Sequence, residues 1–222
     1  KIVNASWSST DNLWTVDVQR TDGTTAQFTT NFLFMCQGYY KHDQGYTPDW
    51  PGLADFKGQI VHPQTWPDDI DLTGKNVIVI GSGATAATLV PNIADQVAHV
   101  TMLQRSPTWF IPGRNVDELA DTLRQLQVDE TWEHEIVRRK RLFDGAAFTK
   151  RAREESEAVK EELLGGVRAF LGEQFDIEKH FTPKYRPWRQ RIAFIPDGDL
   201  FQGIASGKAS VVTDEIERFT EK

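Results

Sequence analysis

The 222-residue sequence is poor in cysteine, and Cys36 has no second cysteine with which to form an internal disulfide. Disulfides are common in secreted domains and rare in the cytosol, so this composition favours a reducing compartment, and we expect a cytoplasmic protein. Because Cys36 ends the apolar run 32–36, we expect it to be a small buried thiol. No apolar run reaches the roughly 18 residues of a membrane-crossing helix, so no membrane span is expected.

The sequence also lacks an excess of positive charge. It has 25 Lys and Arg residues against 32 Asp and Glu residues, a formal net charge of −7. A protein with this net negative charge is not expected to bind nucleic acid or an anionic membrane over its whole surface. The basic run 138–141 is followed closely by acidic residues, so we interpret it as a solvated helix face. We expect no metal site.

Strand-like patterns dominate the first 36 residues. Positions 14–18 alternate apolar and polar side chains, which is typical of a half-buried strand, and Asp22-Gly23 indicates a tight turn before the return strand. The apolar run 32–36 predicts a strand buried on both faces. The segment 38–53 is rich in Gly, Pro and aromatic residues, which predicts a connecting loop.

A strand–helix–strand unit follows further along the chain. The continuous apolar run 76–80 predicts a central parallel strand, positions 84–93 a helix that Pro91 should kink or break, and positions 99–104 the next strand. This order predicts an α/β fold with a Rossmann-like, doubly wound parallel sheet.

Charged sequence with helical periodicity occupies residues 116–180. We expect several helices inserted into the nucleotide-binding domain here, the longest of them broken at Gly165-Gly166. A short helix at 199–204 and a strand at 209–213 are predicted to follow.

A glycine-rich turn lies between the predicted strand 76–80 and the predicted helix. It fits G-x-G-x-x-G/A, with Gly81 for the tight turn, Gly83 for close backbone approach to a pyrophosphate and Ala86 for close helix packing. A helix N-terminus at this place offers unpaired N–H groups and a positive dipole end to phosphates. The candidate pyrophosphate-binding residues are Gly81, Ser82, Gly83, Ala84 and Thr85.

The end of the next strand indicates which nucleotide is preferred. NAD sites usually carry a carboxylate about 20 residues beyond the glycines, where it binds the ribose 2′-hydroxyl. Here Gln104 is followed by Arg105 and Ser106. An arginine can bind a 2′-phosphate through a charge-assisted fork, and a serine can add a hydrogen bond, so the pattern favours NADPH over NADH.

A longer motif precedes this unit and carries a family resemblance. Phe56, Gly58, His62, Trp66 and Pro67 occupy the fixed positions of F-x-G-x-x-x-H-x-x-x-W-P. This pattern resembles the fingerprint of FAD- and NADPH-dependent Baeyer–Villiger monooxygenases, especially the branch that contains the ethionamide-activating monooxygenase of mycobacteria. The N-oxidising flavin-containing monooxygenases look similar but usually carry another aromatic residue at the position of Trp66. The resemblance covers essentially the whole chain.

The resemblance implies roles for two groups of residues. The fingerprint residues Phe56, Gly58, His62 and Trp66 would form a hinge between the flavin and NADP domains. From the residues alone, the two aromatic side chains are apolar anchors, Gly58 permits a turn, and a structural histidine is favoured over a catalytic base.

The active-site arginine of the family corresponds to Arg191, with Arg189 as a nearby competitor. Its permanently charged guanidinium would stabilise negative charge on the oxygenated flavin and on the ketone adduct.

The activity that the resemblance implies is the insertion of one oxygen atom from O2 beside the carbonyl of a ketone, with oxidation of sulfides as a further activity. NADPH would reduce FAD, yet no G-x-G-x-x-G motif for FAD precedes residue 37. We therefore expect residues 1–53 to be the C-terminal part of an FAD domain with its linker. Residues 54–222 are expected to be the NADP-binding domain of a longer enzyme, inactive alone.

Two alternatives to this interpretation stay open. One is an N- or S-oxidising flavin-containing monooxygenase of the same fold, against which Trp66-Pro67 argues. The other is a non-catalytic nucleotide-binding module, which the absent FAD motif favours for the chain by itself.

Overall fold

A three-stranded antiparallel sheet forms the first of two structural units, Lys1–Tyr46, in the computed structural model, which describes all of residues 1–222. Its strands are β1 Ile2–Ser8, β2 Leu13–Gln19 and β3 Thr25–Thr30, in the order β1-β2-β3. Gly23 occupies the turn after β2 with a φ of 85°, which favours glycine, so the predicted strand and turn are confirmed. Trp7 and Trp14 pair across β1 and β2, with ring centroids 5.6 Å apart.

The apolar run 32–36 was predicted to be a buried strand, and this prediction is wrong. The run has no regular secondary structure, and Phe32 and Phe34 are each 76% exposed. Cys36 is exposed as well, so the expected buried thiol is also wrong. The physical reason is that no strand pairs with this run, and its two phenylalanine rings only stack on each other at 6.5 Å.

The second unit, Thr47–Lys222, contains the remaining elements. After one-turn 3-10 helices at Leu53–Asp55 and Pro63–Thr65, they are, in chain order, β4 Asn76–Ile80, α1 Ala84–Ile93, β5 His99–Gln104, β6 Trp109–Gly113, α2 Glu118–Gln125, α3 Glu130–Glu154, α4 Ser156–Leu171, α5 Ile177–Phe181, β7 Ile192–Pro196, α6 Asp199–Ala205 and β8 Ala209–Thr213. The predicted bounds of β4, α1, β5 and β8 match the structure, and α6 extends one residue further than predicted.

The parallel sheet of this unit has the order β4-β5-β8. The predicted strand–helix–strand unit and the α/β class are confirmed, but β4 lies at an edge, and the prediction of a central strand is wrong. β5 is central instead, paired with β4 and β8 through Val100, which faces Val77 on one side and Ala209 on the other. β4 is apolar on both faces, yet Ile78 is 63% exposed, because only the opposite face of the sheet carries helices.

The core lies between that helix-covered face and the helices. Val100 and Met102 of β5 are fully buried and belong to one cluster with Val90 of α1 and Phe201 of α6. The ring of Phe201 meets that of Phe181 edge-on at 5.5 Å, a favourable aromatic geometry. This packing fixes α1, and therefore the glycine-rich turn before it, against the sheet.

A second parallel pair, β6 with β7, was not predicted. Trp109 faces Ile192 and Gly113 faces Pro196 in this pair. The four helices α2 to α5 lie between the two strands in sequence, so the predicted helical segment 116–180 is confirmed as helical. Each of these strands has only five residues, and such a short segment shows little alternation of apolar and polar side chains. This explains why the sequence did not reveal them.

Neither of the two predicted helix positions, Gly165-Gly166 and Pro91, breaks its helix. Gly165 and Gly166 lie within α4, and the longest helix is α3, which ends at Glu154. A Cβ at Gly166 would lie 3.1 Å from the Pro112 side chain, so this glycine serves close helix–strand packing. In α1 the helix continues past Pro91 to Ile93, so the proline does not break it, although Pro91 has no N–H to donate to the Ala87 carbonyl.

The basic run 138–141 lies on the exposed surface of α3, as predicted. Its four side chains make ion pairs with Glu135, Asp144 and Asp117. None of the six α-helices combines the length and the apolar character that crossing a bilayer requires.

Candidate functional site

The glycine-rich turn between β4 and α1 has the geometry of a phosphate-binding loop. Gly81 has a φ of 121°, which only glycine adopts without strain, and its N–H donates to the Leu103 carbonyl over 2.7 Å. Gly83 has an ordinary φ of −76°, and an added Cβ would meet no atom within 4 Å. Gly81 therefore serves the turn, whereas Gly83 leaves open space at the helix N-terminus.

The N-terminus of α1 is available to a ligand. Gly83, Ala84 and Thr85 are exposed, no side chain caps the helix, and its first turn has no acidic residue. The first N–H groups of a helix have no partner within the helix, so they point toward whatever lies there. Ala86 is 5% exposed and packs in the core, which matches the role predicted for a small residue.

Ser82 differs from its neighbours because its side chain is directed into the protein. The residue is 8% exposed, and its Oγ lies 3.0 Å from Thr108 Oγ1 and donates to the Ser106 carbonyl over 3.4 Å. The loop is thus tied to the segment that follows β5. Because its hydroxyl is already bonded within the protein, we expect Ser82 to contact a phosphate only through its backbone.

Arg105 and Ser106 follow β5 at the same edge of the sheet. Both residues are exposed, and the Arg105 guanidinium has no ion-pair partner. Because Ser82 bonds to the Ser106 carbonyl, the structure brings this pair next to the phosphate loop. A free arginine at this place can receive a phosphate without breaking an existing ion pair.

A buried polar cluster stabilises this carboxyl edge of the sheet. Gln104 is 1% exposed, and its Nε2 donates to the His180 carbonyl at 2.7 Å and to Thr213 Oγ1 at 2.9 Å. The imidazole of His180 lies 2.8 Å from the same threonine oxygen. Burial lowers the pKa of His180, the charge of Lys179 adds to this effect, and Asp176 opposes it. Burial in this cluster therefore favours the neutral form of the imidazole.

Arg191 immediately precedes β7. Arg191 and Arg189 are both exposed, and neither has an ion-pair partner. The register of the pair β6–β7 sets Ile192 opposite Trp109, so Arg191 and Thr108 are the residues just before the two paired positions. Since Thr108 touches Ser82, the structure brings Arg191 into the neighbourhood of the phosphate loop.

Two residues of this region, Thr108 and Tyr185, were missed by sequence reasoning. The Trp109 indole donates to the Tyr185 carbonyl over 2.8 Å. Burial raises the pKa of the Tyr185 hydroxyl, and the nearby Trp109 backbone and Thr108 side chain offset part of the rise. The sequence has no signal for this arrangement, because the partners are 76 positions apart.

The fingerprint residues lie elsewhere in the same unit. Gly58 does not have a positive φ, and a Cβ there would lie 2.4 Å from the Phe56 ring. The glycine therefore permits close approach of the ring at a position where the backbone bends. His62 accepts from the Gln64 N–H at 3.1 Å and so caps the short helix that follows, while Trp66 is 37% exposed.

A C-terminal segment holds the fingerprint in place. The Phe219 ring lies 6.1 Å from that of Phe56 and 5.7 Å from that of Trp50, and its N–H donates to the Pro51 carbonyl. This segment begins at the carboxyl edge of the parallel sheet, where the Asp214 N–H donates to the Gln104 carbonyl. Phe219 is a third residue that sequence reasoning missed.

Comparison with known proteins identifies the family. A family model described as flavin-binding monooxygenase-like matches residues 1–122, which is more than half of the chain. The chain belongs to the flavin-binding monooxygenase-like family. This result confirms the flavoprotein monooxygenase resemblance that the fingerprint indicated.

Individual members of the family match along the whole chain. The FAD-containing monooxygenase EthA of Mycobacterium tuberculosis (strain ATCC 25618 / H37Rv) is 46% identical over 221 residues, covering 99% of this chain and 45% of that protein. The probable FAD-binding monooxygenase AlmA of Acinetobacter sp is 42% identical over 221 residues, covering 99% of this chain and 44% of that protein. The chain thus spans about half the length of the curated relatives it matches.

Solved structures of monooxygenases share the fold of this family member. An oxidized steroid monooxygenase bound to NADP superposes with a TM-score of 0.71 at 20% identity, covering all of this chain and 47% of that one. A cyclohexanone monooxygenase from Rhodococcus sp. Phi1 bound to NADP+ gives a TM-score of 0.67 at 19% identity, covering 100% and 47%. At these identities the likeness concerns the fold.

Proposed function

We propose that this chain is the NADPH-binding portion of a flavin-dependent monooxygenase that inserts one oxygen atom from O2 into ketones. The observation that carries the nucleotide assignment is the exposed, uncapped N-terminus of α1 beside the unpaired Arg105. The pyrophosphate would lie at Gly81, Gly83 and the first turn of α1, and the 2′-phosphate at Arg105 and Ser106. The binding of NADP by two solved structures that share this fold supports a nucleotide as the ligand.

The charges around the site favour a phosphorylated ribose. Arg105 follows the strand where an NAD site carries a carboxylate, and the first turn of α1 has no acidic side chain. The 2′-phosphate of NADPH would therefore be attracted by Arg105, and no carboxylate in the first turn of α1 would repel it.

The proposal of ketone oxidation depends on the fingerprint and on Arg191. Trp66 follows the pattern of the Baeyer–Villiger enzymes, and Arg191 is an unpaired cation near the phosphate loop. Its permanent positive charge can stabilise an anion that forms in a site shielded from water. Residues 1–53 would then belong to the flavin domain and residues 54–222 to the NADP domain.

Residues 1–222 contain one glycine-rich phosphate loop, so they provide a site for one dinucleotide. The relatives named FAD-containing indicate that flavin binding is a property of the whole protein. There FAD would supply the redox and oxygen chemistry, while this chain binds the nucleotide and holds a positive charge at Arg191.

Calorimetric titration with NADPH and NADH tests the nucleotide assignment. We expect NADPH to bind more tightly and Arg105→Ala to remove most of that preference. Two charges of a 2′-phosphate about 4 Å from a guanidinium in water contribute roughly 2 kcal/mol, or about 30-fold in affinity. Arg153→Ala removes an equally exposed and unpaired arginine on α3 and is the matched control. Equal affinities for the two nucleotides would contradict the assignment.

A substrate panel on the full-length natural protein tests the chemistry. We expect conversion of cyclic or linear ketones to esters, strongly reduced in Arg191→Ala, with sulfides as further substrates. Turnover of tertiary amines or sulfides without any ketone would assign the protein to the N- or S-oxidising type instead.

A further inference from the structure

We propose that unpaired cations in residues 179–191 attract NADPH from solution and raise the rate at which it reaches the nucleotide site. We call these side chains the cationic segment: Lys179, Lys184, Arg186, Arg189 and Arg191. The attraction acts at a distance, so it requires no contact with the bound nucleotide. The inference rests on the proposed function, since it assumes that NADPH binds beside Arg105.

The cationic segment is free of ion pairs, unlike the helices that precede it. Between residues 114 and 168, every Lys and Arg except Arg153 forms an ion pair with a carboxylate. None of the cations in residues 179–191 forms one, and no Asp or Glu lies between Glu178 and Asp197. The positive charge of the segment is therefore available to an anion from solution.

Lys179 lies at the carboxyl edge of the parallel sheet. The buried side chain of Gln104 donates to the His180 carbonyl over 2.7 Å, which holds α5 against the last residue of β5. Arg105 follows Gln104 directly, and Lys179 precedes His180. One end of the cationic segment is therefore beside the proposed 2′-phosphate site.

The loop between α5 and β7 is fixed at Trp109, which is 1% exposed. The Trp109 indole donates to the Tyr185 carbonyl over 2.8 Å, and its backbone faces Ile192 in the strand pair. The residue before it, Thr108, has its hydroxyl 3.0 Å from that of Ser82 in the phosphate loop. The other cations of the segment lie in this loop, so they belong to a part of the structure that is tied to the phosphate loop.

Acidic side chains at the same edge offset part of this positive charge. Asp214 and Glu215 follow β8, Asp176 caps the N-terminus of α5, and Glu178 lies within that helix. None of these four carboxylates forms an ion pair with the cationic segment. The cations of the segment together with Arg105 outnumber them, and the positive end of α1 adds to the same field.

A local positive field matters because the chain as a whole is acidic. Its formal net charge is −7, so a polyanion is repelled at a distance unless one part of the surface attracts it. NADPH carries about four negative charges, of which nearly two are on the 2′-phosphate, whereas NADH carries about two. Clefts that focus an attractive field raise association rates by roughly 10- to 1000-fold, and salt screens this effect. The cationic segment therefore favours NADPH before any contact is made.

Stopped-flow association of NADPH and NADH with the full-length natural protein tests the attraction. Energy transfer from tryptophan to the bound nicotinamide reports binding under anaerobic conditions. Ionic strength is varied between about 0.01 M and 1 M, where the Debye length falls from roughly 30 Å to roughly 3 Å. We expect the association rate constant of NADPH to fall at least about 10-fold over this range. That of NADH should fall less, because NADH carries about half the charge.

The combined variant Lys179→Gln and Lys184→Gln removes two exposed cations that have no proposed contact with the nucleotide. At low ionic strength we expect NADPH to associate with it roughly 3- to 10-fold more slowly than with the wild type, while its dissociation rate is unchanged. At high ionic strength the two proteins should associate at the same rate. The matched control, Arg138→Gln with Arg139→Gln, removes the same charge from exposed side chains of α3 and should behave as the wild type.

The possible results separate this inference from the proposed function. If NADPH fails to bind the wild type, the proposed function is wrong and the attraction falls with it. Association that does not depend on ionic strength, or depends on it equally for NADPH and NADH, would overturn only the attraction. Wild-type association in the combined variant would overturn it as well. So would a deficit that persists at high ionic strength, because that deficit would report a direct contact or a loss of structure.

Discussion

Two glycines in one loop should respond in opposite ways to the same substitution. Gly81 has a φ of 121°, so Gly81→Ala forces an L-residue into a strained conformation, whereas Gly83 has a φ of −76° and open space where a Cβ would be. A strained non-glycine residue costs about 1–3 kcal/mol. For a chain of this size that corresponds to a fall in Tm of roughly 2–12 °C.

The expected result for Gly83→Ala is different. Alanine is compatible with this backbone conformation, so Tm should stay constant or rise by roughly 1–4 °C through the reduced entropy of the unfolded chain. Nucleotide affinity should nevertheless fall at least about 10-fold, because the new methyl group occupies the space through which the pyrophosphate reaches the helix N–H groups.

Thermal unfolding by circular dichroism and NADPH titration by calorimetry, performed on both variants, provide the test. Wild-type NADPH affinity in Gly83→Ala would show that the open space at Gly83 is not the pyrophosphate site. A wild-type unfolding temperature in Gly81→Ala would show that the positive φ of Gly81 carries no cost.

Two further predictions concern stability. Phe201→Ala should lower the free energy of unfolding by about 3–5 kcal/mol, because it removes a fully buried ring from the aromatic core, whereas Phe143→Ala on the exposed face of α3 should change little in urea denaturation. Burial lowers the pKa of His180 from 6.5, so the unfolded chain binds the proton more readily and stability should fall as the pH drops below about 6.5. His180→Asn should flatten the pH dependence of the unfolding midpoint between pH 7 and 5, whereas the control His134→Asn, at an exposed histidine, should leave it unchanged. An unchanged slope in His180→Asn would show that His180 is not the group responsible.

Much of the fold could be predicted because it depends on local chemistry. The bounds of β4, α1, β5 and β8 follow from apolar runs, helical periodicity and the glycines between them, all of which act over a few residues. The same holds for the role of Gly81, since a turn directly after a buried strand requires an unusual φ. The fingerprint and Arg105 were likewise visible as motifs, and they led to the family.

Tertiary structure decided which of these local elements have neighbours. The run 32–36 and strand β4 are both apolar enough for a buried strand, yet one is unpaired and the other lies at a sheet edge. Hydrophobicity reports a preference for burial, but whether a partner covers the segment depends on residues far away in the chain.

The contacts around the candidate site were decided in the same way. Thr108 and Tyr185 look like ordinary loop residues, and Phe219 like a stray aromatic residue near the C-terminus. Each acquires its role from a partner between 26 and 163 positions distant: Ser82 for Thr108, Trp109 for Tyr185 and Phe56 for Phe219. Sequence therefore determined the elements and the chemical groups of this protein, and only folding determined which groups meet, because hydrogen bonds and ring packing act over a few ångströms of space.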